Sequence, residues 1–208
     1  MTVVELSDPD ALAVRSHPWS GSLSDDAHRY IDLRRSPGLI RSALEDLRGW
    51  ENQAELETFY QLLELINGPD STLETNDCAF NAPSANEHAG MDKALVCSGR
   101  VMLLFRELPL NTSATRVHAF TDAFARALSH QDEGFGWGVV GASIVPVRFT
   151  TLPGTHDEQL GSQLMLSFWA WGDDQAETMA HLNRTLTNLT GVLRGLMTWP
   201  DAGAKASR

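Results

Sequence analysis

The sequence predicts an α+β fold, an antiparallel sheet with ferredoxin-like β-α-β-β-α order over residues 100–198 preceded by a helical N-terminal layer. Three observations carry that expectation. Apolar residues recur at three- and four-residue spacing in several segments, which is the period of a helix with one buried face. After residue 99 these segments alternate with short apolar or β-branched runs of strand length. Two of those runs are separated by "PGTHDEQLG", a turn-like stretch that joins them as a hairpin with a long loop.

Taken in order, residues 1–35 mix prolines and charges with scattered Leu12, Val14, Trp19 and Leu33, and read as an arm packed over the domain with a short helix around 24–34. "RSPGLIRSALEDLRGW" offers Ser36 as N-cap, Pro37 at the first helical position, and Ile40, Leu44 and Leu47 on one face. In "ENQAELETFYQLLELING", Leu56, Phe59, Leu63 and Ile66 make a second helical face, stopped by Asn67-Gly68-Pro69. Helices are thus expected within 36–68. The stretch 69–99 is unusually long for a structureless connection, so it holds either a functional loop or an edge strand.

From residue 100 the signals sharpen. "VMLLFREL" reads as a strand covered on both faces, and Val117, Phe120, Phe124 and Leu128 stripe the helix that follows. "GVVGASIVPVRFTTL" is a β-branched strand in which Pro146 predicts an edge position or a bulge. "SQLMLSFWAWG" is its partner. Asp174 and Glu177 then form an Asp-x-x-Glu capping box for a last helix carrying Met179, Leu182, Leu186, Leu189, Leu193 and Leu196. No strand can follow Trp199, and the tail 199–208 reads as disordered. The sheet is therefore three-stranded, is completed by a strand from 71–98, or continues across a dimer interface. Residues 36–198 form one domain under this reading.

Composition bounds the function. The apolar and charged fractions, 42% and 21%, are those of a globular protein. A net charge of −11 with only 16 Lys plus Arg argues against nucleic acid as a partner, since affinity for a phosphate backbone comes from cations that displace counterions. The same deficit argues against an anionic membrane surface. The N-terminus lacks a basic stretch followed by an apolar one, so the expected compartment is the cytoplasm, with Cys78 and Cys97 reduced.

Three motifs bear on chemistry. "GWGVVG" matches a dinucleotide fingerprint in letters, but a helix precedes it and a strand follows, the reverse of what holds a pyrophosphate. Its glycines read instead as a tight turn and a close backbone approach. Glu74, Asp77, Cys78, Glu87, His88, Asp92 and Cys97 crowd one loop, yet show no metal-ligand spacing, and no metal is assigned. Within that loop Asp77, Cys78 and His88 are the catalytic candidates, because an imidazole near a thiol favours the thiolate. The plainer alternative is a turn at Asn76-Asp77 leading into a short buried segment.

The third motif is a sheet face. Side chains alternate along a strand, so Met102, Leu104 and Arg106 share one side, Ile144, Pro146 and Arg148 share one, and Met165, Ser167, Trp169 and Trp171 share another. Were the three sets to coincide, Arg106, Arg148, Trp169 and Trp171 would suit a planar anionic small molecule, by stacking and bidentate hydrogen bonds. Two functions follow. One is a small-molecule-binding protein or enzyme with a pocket between loop 71–98 and this face. The other is a non-catalytic protein, homodimeric or partner-binding, that buries Trp169 and Trp171. Substrate, reaction and cofactor are not assigned by either.

Overall fold

The computed structural model describes residues 2–6, 13–15, 32–43, 47, 50, 52–87, 90–149 and 158–197. Two short strands come first, β1 (Thr2–Leu6) and β2 (Ala13–Arg15). A 3-10 turn at Pro37–Leu39 leads into α1 (Ile40–Ala43), and another at Gln53–Leu56 into α2 (Glu57–Asn67). β3 (Leu73–Ala85) and β4 (Leu95–Phe105) follow, then α3 (Leu108–Asn111) and α4 (Ala114–Ser129). β5 (Gly138–Phe149), β6 (Gln159–Gly172) and α5 (Gln175–Leu196) complete the order. The expected tail 199–208 and residues 24–31 of the helix expected around 24–34 lie outside the described residues; Leu33–Arg35, at the end of that expected helix, form a turn.

β5, β6, β4 and β3 lie side by side in that order, each antiparallel to its neighbour. The stretch 69–99 thus contains the strand that completes the sheet, rather than a loop over it. That strand precedes β4 instead of following α5, and ferredoxin-like order is not carried further for this chain. β1 and β2 both pair with β5 in parallel, β1 along Val140–Ile144 and β2 along Val147–Phe149. Pro146 falls between the stretches of β5 that pair with β1 and β2, so among the described residues it interrupts no ladder on that edge.

The core lies on one face of the sheet. Phe80, Val101, Leu103, Phe105, Val140, Leu164, Leu166 and Phe168 all belong to it. The helices close over them: Phe59 of α2 meets Phe80 and Phe168 at centroid distances of 5.8 Å, and Phe120 of α4 meets Phe105 edge-on at 5.3 Å. Each such ring taken out of water contributes on the order of 1.5–3 kcal/mol. Packing is close. A void lined by Leu103, Phe105, Val117, Phe120 and Leu164 has room for about one water, at ≈ 10 Å³.

Polar side chains set the junctions. Asn67, the last residue of α2, donates to the Leu63 carbonyl at 2.9 Å and accepts from both the N–H and the hydroxyl of Thr75 at 3.1 Å, stitching helix to strand. Asn111 accepts from Phe105 N at 2.9 Å and donates to Phe105 O at 2.8 Å, standing in for a neighbouring strand. Asp174 Oδ1 caps α5 by accepting from Glu177 N at 2.8 Å. Glu177 in turn accepts from Asp173 N at 2.6 Å.

Candidate functional site

Strand register decides which residues share the sheet's second face, the one opposite α2, α4 and α5. Trp169 of β6 is paired with Ser98 of β4 and Val139 of β5; Ser167 with Arg100 and Gly141; Met165 with Met102 and Ser143. β3 adds Asn81, Ala79 and Asp77 beside Ser98, Arg100 and Met102. Paired residues point the same way, so these twelve positions form three rows across four strands. Val139, Met165 and Trp169 are half-buried, although no described helix stands over them.

Trp169 lies across the neighbouring strand. A Cβ on Gly141 would come within 3.3 Å of its ring, so glycine at 141 makes room for the indole. Polar groups fill the rest of the patch. Arg100 donates to Asp77 at 3.1 Å while its own side chain is 48% exposed, and Asn81 donates to the Ser98 hydroxyl at 3.0 Å. Below the third row the face closes. Leu104, Val147 and Phe149 pack with Leu108 in a small second cluster, and Glu74, Asn76 and Gln163 are buried beside them. Glu74 receives Arg34 at 3.2 Å, and Asn76 Nδ2 donates to the side-chain Oε1 of Gln163.

The candidate residues are distributed as follows. Asp77, Trp169 and Trp171 share the second face, Trp171 at its buried upper end with only 6% of its surface exposed. Arg106 is engaged by backbone: it donates to the carbonyls of Leu73 at 2.9 Å, Pro69 at 3.3 Å and Gly68 at 2.7 Å, clamping the turn between α2 and β3. Burial lowers its pKa. Arg148 is paired with Leu160, which puts it on the helix side of the sheet, and it binds Glu158 at 3.0 Å at the strand end. The three side-chain sets therefore do not coincide: two share the second face, and that of Ile144, Pro146 and Arg148 does not.

Cys78 faces the core, half-buried, one residue from Asp77 and on the opposite side of β3. His88 lies outside the described residues. Cys97 is 1% exposed, and burial pushes its thiol up to about 12, which suits a packing role. Among the described residues, no three of His, Cys, Asp and Glu gather closely enough to hold a metal ion. No helix among them is long and apolar enough to cross a membrane.

Of the glycines in "GWGVVG", Gly138 marks a close approach, since a Cβ there would overlap the Thr185 hydroxyl of α5. The loop leading to it is pinned along α5 by side chains in series. Arg184 binds Asp132 and covers the Phe135 ring, His181 sits beside Phe135 and Trp137, and Lys93 covers Trp137 at 4.9 Å. His181 Nδ1 donates to the Trp171 carbonyl at 2.6 Å.

The guanidinium beside Trp169 is thus Arg100 of "SGRVMLLF", rather than the expected Arg106. Alternation already put Arg100 on the side of Met102; what it could not supply was the register placing that side under Trp169. No protein family, curated protein or solved structure matches this chain.

Proposed function

We propose that this chain is a non-catalytic interaction protein of the cytoplasm that buries the second face of its sheet against a protein partner, a second copy of itself or another chain. One observation supports the reading above others: Val139, Met165 and Trp169 share an apolar, half-buried patch whose charged members, Asp77 and Arg100, neutralise one another at 3.1 Å. Faces rich in aromatic residues, Met and Arg are the surfaces that proteins bury against proteins. β3 lies in the plane of the sheet rather than across it, and among the described residues no helix stands over Val139, Met165 or Trp169. A photoreactive residue in place of Ser167, irradiated in the producing cell, is expected to yield a crosslinked product of defined mass. Its absence at every irradiation dose, in a chain that folds normally, would dismiss the proposal.

A second reading is favoured by the placement of Arg100 diagonally across from Trp169. A small planar anion could stack on the indole and accept from the guanidinium. Titration with aromatic carboxylates should then shift tryptophan emission, and Arg100→Gln should weaken binding by at least about tenfold, the loss of one charge-assisted contact. Unchanged emission across the series removes this reading.

A further inference from the structure

We infer that the partner on this face is a second copy of the chain, packed sheet against sheet about a two-fold axis that runs along the strands between β6 and β4. The inference rests on the interaction reading and names its occupant.

Size complementarity comes from the register. Down β6 the face reads Trp169, Ser167, Met165, and down β4 it reads Ser98, Arg100, Met102, row for row. Bulk in one column therefore stands beside a small residue in the other, except in the methionine row. The proposed axis lays β6 of one copy over β4 of its mate. Trp169 then meets the partner's Ser98, Ser167 meets the partner's Arg100, and Met165 meets the partner's Met102. In the outer columns Gly141 meets the partner's Ala79, and Val139 meets the partner's Asn81. Large falls on small where the faces are bulkiest, Trp169 over Ser98 and Arg100 over Ser167, and the outer columns set small or medium residues on one another, which is what close approach of two sheets about 10 Å apart requires; the methionine row, with Met102 7% exposed, lies at the rim.

The charge on this face does not oppose the same occupant. The chain carries a net charge of −11, so two copies repel over most approaches. The three rows hold one carboxylate and one guanidinium, Asp77 and Arg100, already paired with each other. Under the two-fold neither meets its like: Asp77 is set over the partner's Ser143, and Arg100 over the partner's Ser167. A basic partner would find no surplus of acid here, and an acidic one no surplus of base.

Area sets the strength. With strands about 4.8 Å apart and paired rows about 6.8 Å apart, twelve positions cover a flat footprint of roughly 400 Å² per copy. That falls short of the ~800 Å² per partner of a standard stable complex. A reversible dimer, dissociating in the micromolar range or above, is the expected form.

The test is sedimentation velocity of the full chain over a concentration series, with circular dichroism confirming that each variant folds. The parent should pass from monomer to dimer as concentration rises, and Trp169→Arg should shift the midpoint upward by at least tenfold. Ser143→Arg supplies the discriminating gain. It places a cation over the partner's Asp77, out of reach of its own, and should tighten the dimer severalfold, with the gain abolished in Ser143→Arg/Asp77→Asn. A chain monomeric at every concentration overturns the second copy, and if it still crosslinks through position 167 to another protein, the broader interaction reading survives. A dimer indifferent to both Trp169→Arg and Ser143→Arg overturns the proposed interface, and with no crosslink through position 167 the broader reading falls with it.

Discussion

Cys97 and Gly172 make the sharpest residue-scale predictions because each is confined on every side. The Cys97 thiol is held up to about 12 by burial beneath the helices, so almost none of it is thiolate near neutrality. A maleimide reagent should leave Cys97 unlabelled in the folded protein and modify it once denaturant is added; labelling of the native chain would show that the core opens far more readily than its packing implies. At Gly172 an added Cβ would come within 2.4 Å of the Thr178 backbone nitrogen and 2.8 Å of its Cα. Backbone cannot swing aside as a side chain can, so Gly172→Ala should destabilise by about 1–3 kcal/mol, the usual cost of overpacking, read as a lowered melting temperature. These two residues differed in legibility. Cys97 was readable as buried from its apolar strand, whereas the role of Gly172 depends on how closely α5 folds back over β6, and that is invisible in "WAWGDD".

At the scale of elements, side chains that stand in for backbone partners hold the joints. Replacing Asn67 by Ala would strand the Thr75 N–H and hydroxyl in a buried setting, at a cost of about 1–3 kcal/mol for each unpaired group. Chemical denaturation should register a loss of at least that order, while a change confined to the experimental error would mean that water reaches the site. α1 and α2 are joined on the surface by Arg41, which binds Glu57 at 2.6 Å and Glu64 at 2.9 Å. The Arg41 hydrogen bond, with a smaller contribution from Gln61, lowers the Glu57 pKa from 4.5 to about 2. A carboxylate whose folded pKa is depressed stabilises the fold above its unfolded value and loses that contribution as pH falls through the folded one. Arg41→Gln should therefore lower the melting temperature slightly at neutral pH, leave it unchanged near pH 2, and so flatten the decline between pH 4.5 and about 2, a small effect because both partners are exposed. The helices themselves were legible from periodicity, with α2, α4 and α5 near their expected spans. The strand β3 was not, because "LETNDCAFNAP" has few β-branched residues and many turn formers, and pairing with β4 outweighs that propensity.

For the whole molecule, the class of fold was legible and the assembly of the sheet was not. Periodicity two assigns each strand its two sides, and it did so correctly for Trp169 with Trp171 and for Met102 with Arg106. Which sides coincide is a matter of register, fixed by long-range pairing that leaves no local mark. That is why Arg148 and the tryptophans, alike in pattern, stand on opposite faces, and why Arg100 emerged only once β4 lay beside β6. The N-terminal arm illustrates the same limit: "TVVEL" has the composition of a strand, but its parallel place beside β5 could not be read from it. At this scale the expectation is a weakly associating particle whose second face is its contact surface, so diluting the protein should raise the accessibility of Trp169 to acrylamide. Quenching independent of concentration would contradict it.

The irregularity at Asn76 has a consequence for which chemistry meets the solvent. Register steps from Thr75 opposite Leu103 to Asp77 opposite Met102, so Asn76 is one residue more than the ladder needs. Were Asn76 instead paired into a regular ladder, every residue from Asp77 to Asn81 would change sides: the carboxylate would be driven into the core, and the Cys78 thiol would surface beside Arg100. A single supernumerary residue thus acts as a parity bit for the edge strand. By bulging it out, the chain keeps its oxidisable thiol inside and a neutralising carboxylate outside; deleting Asn76 would preserve both sides, whereas straightening the strand with Asn76 retained would exchange the two.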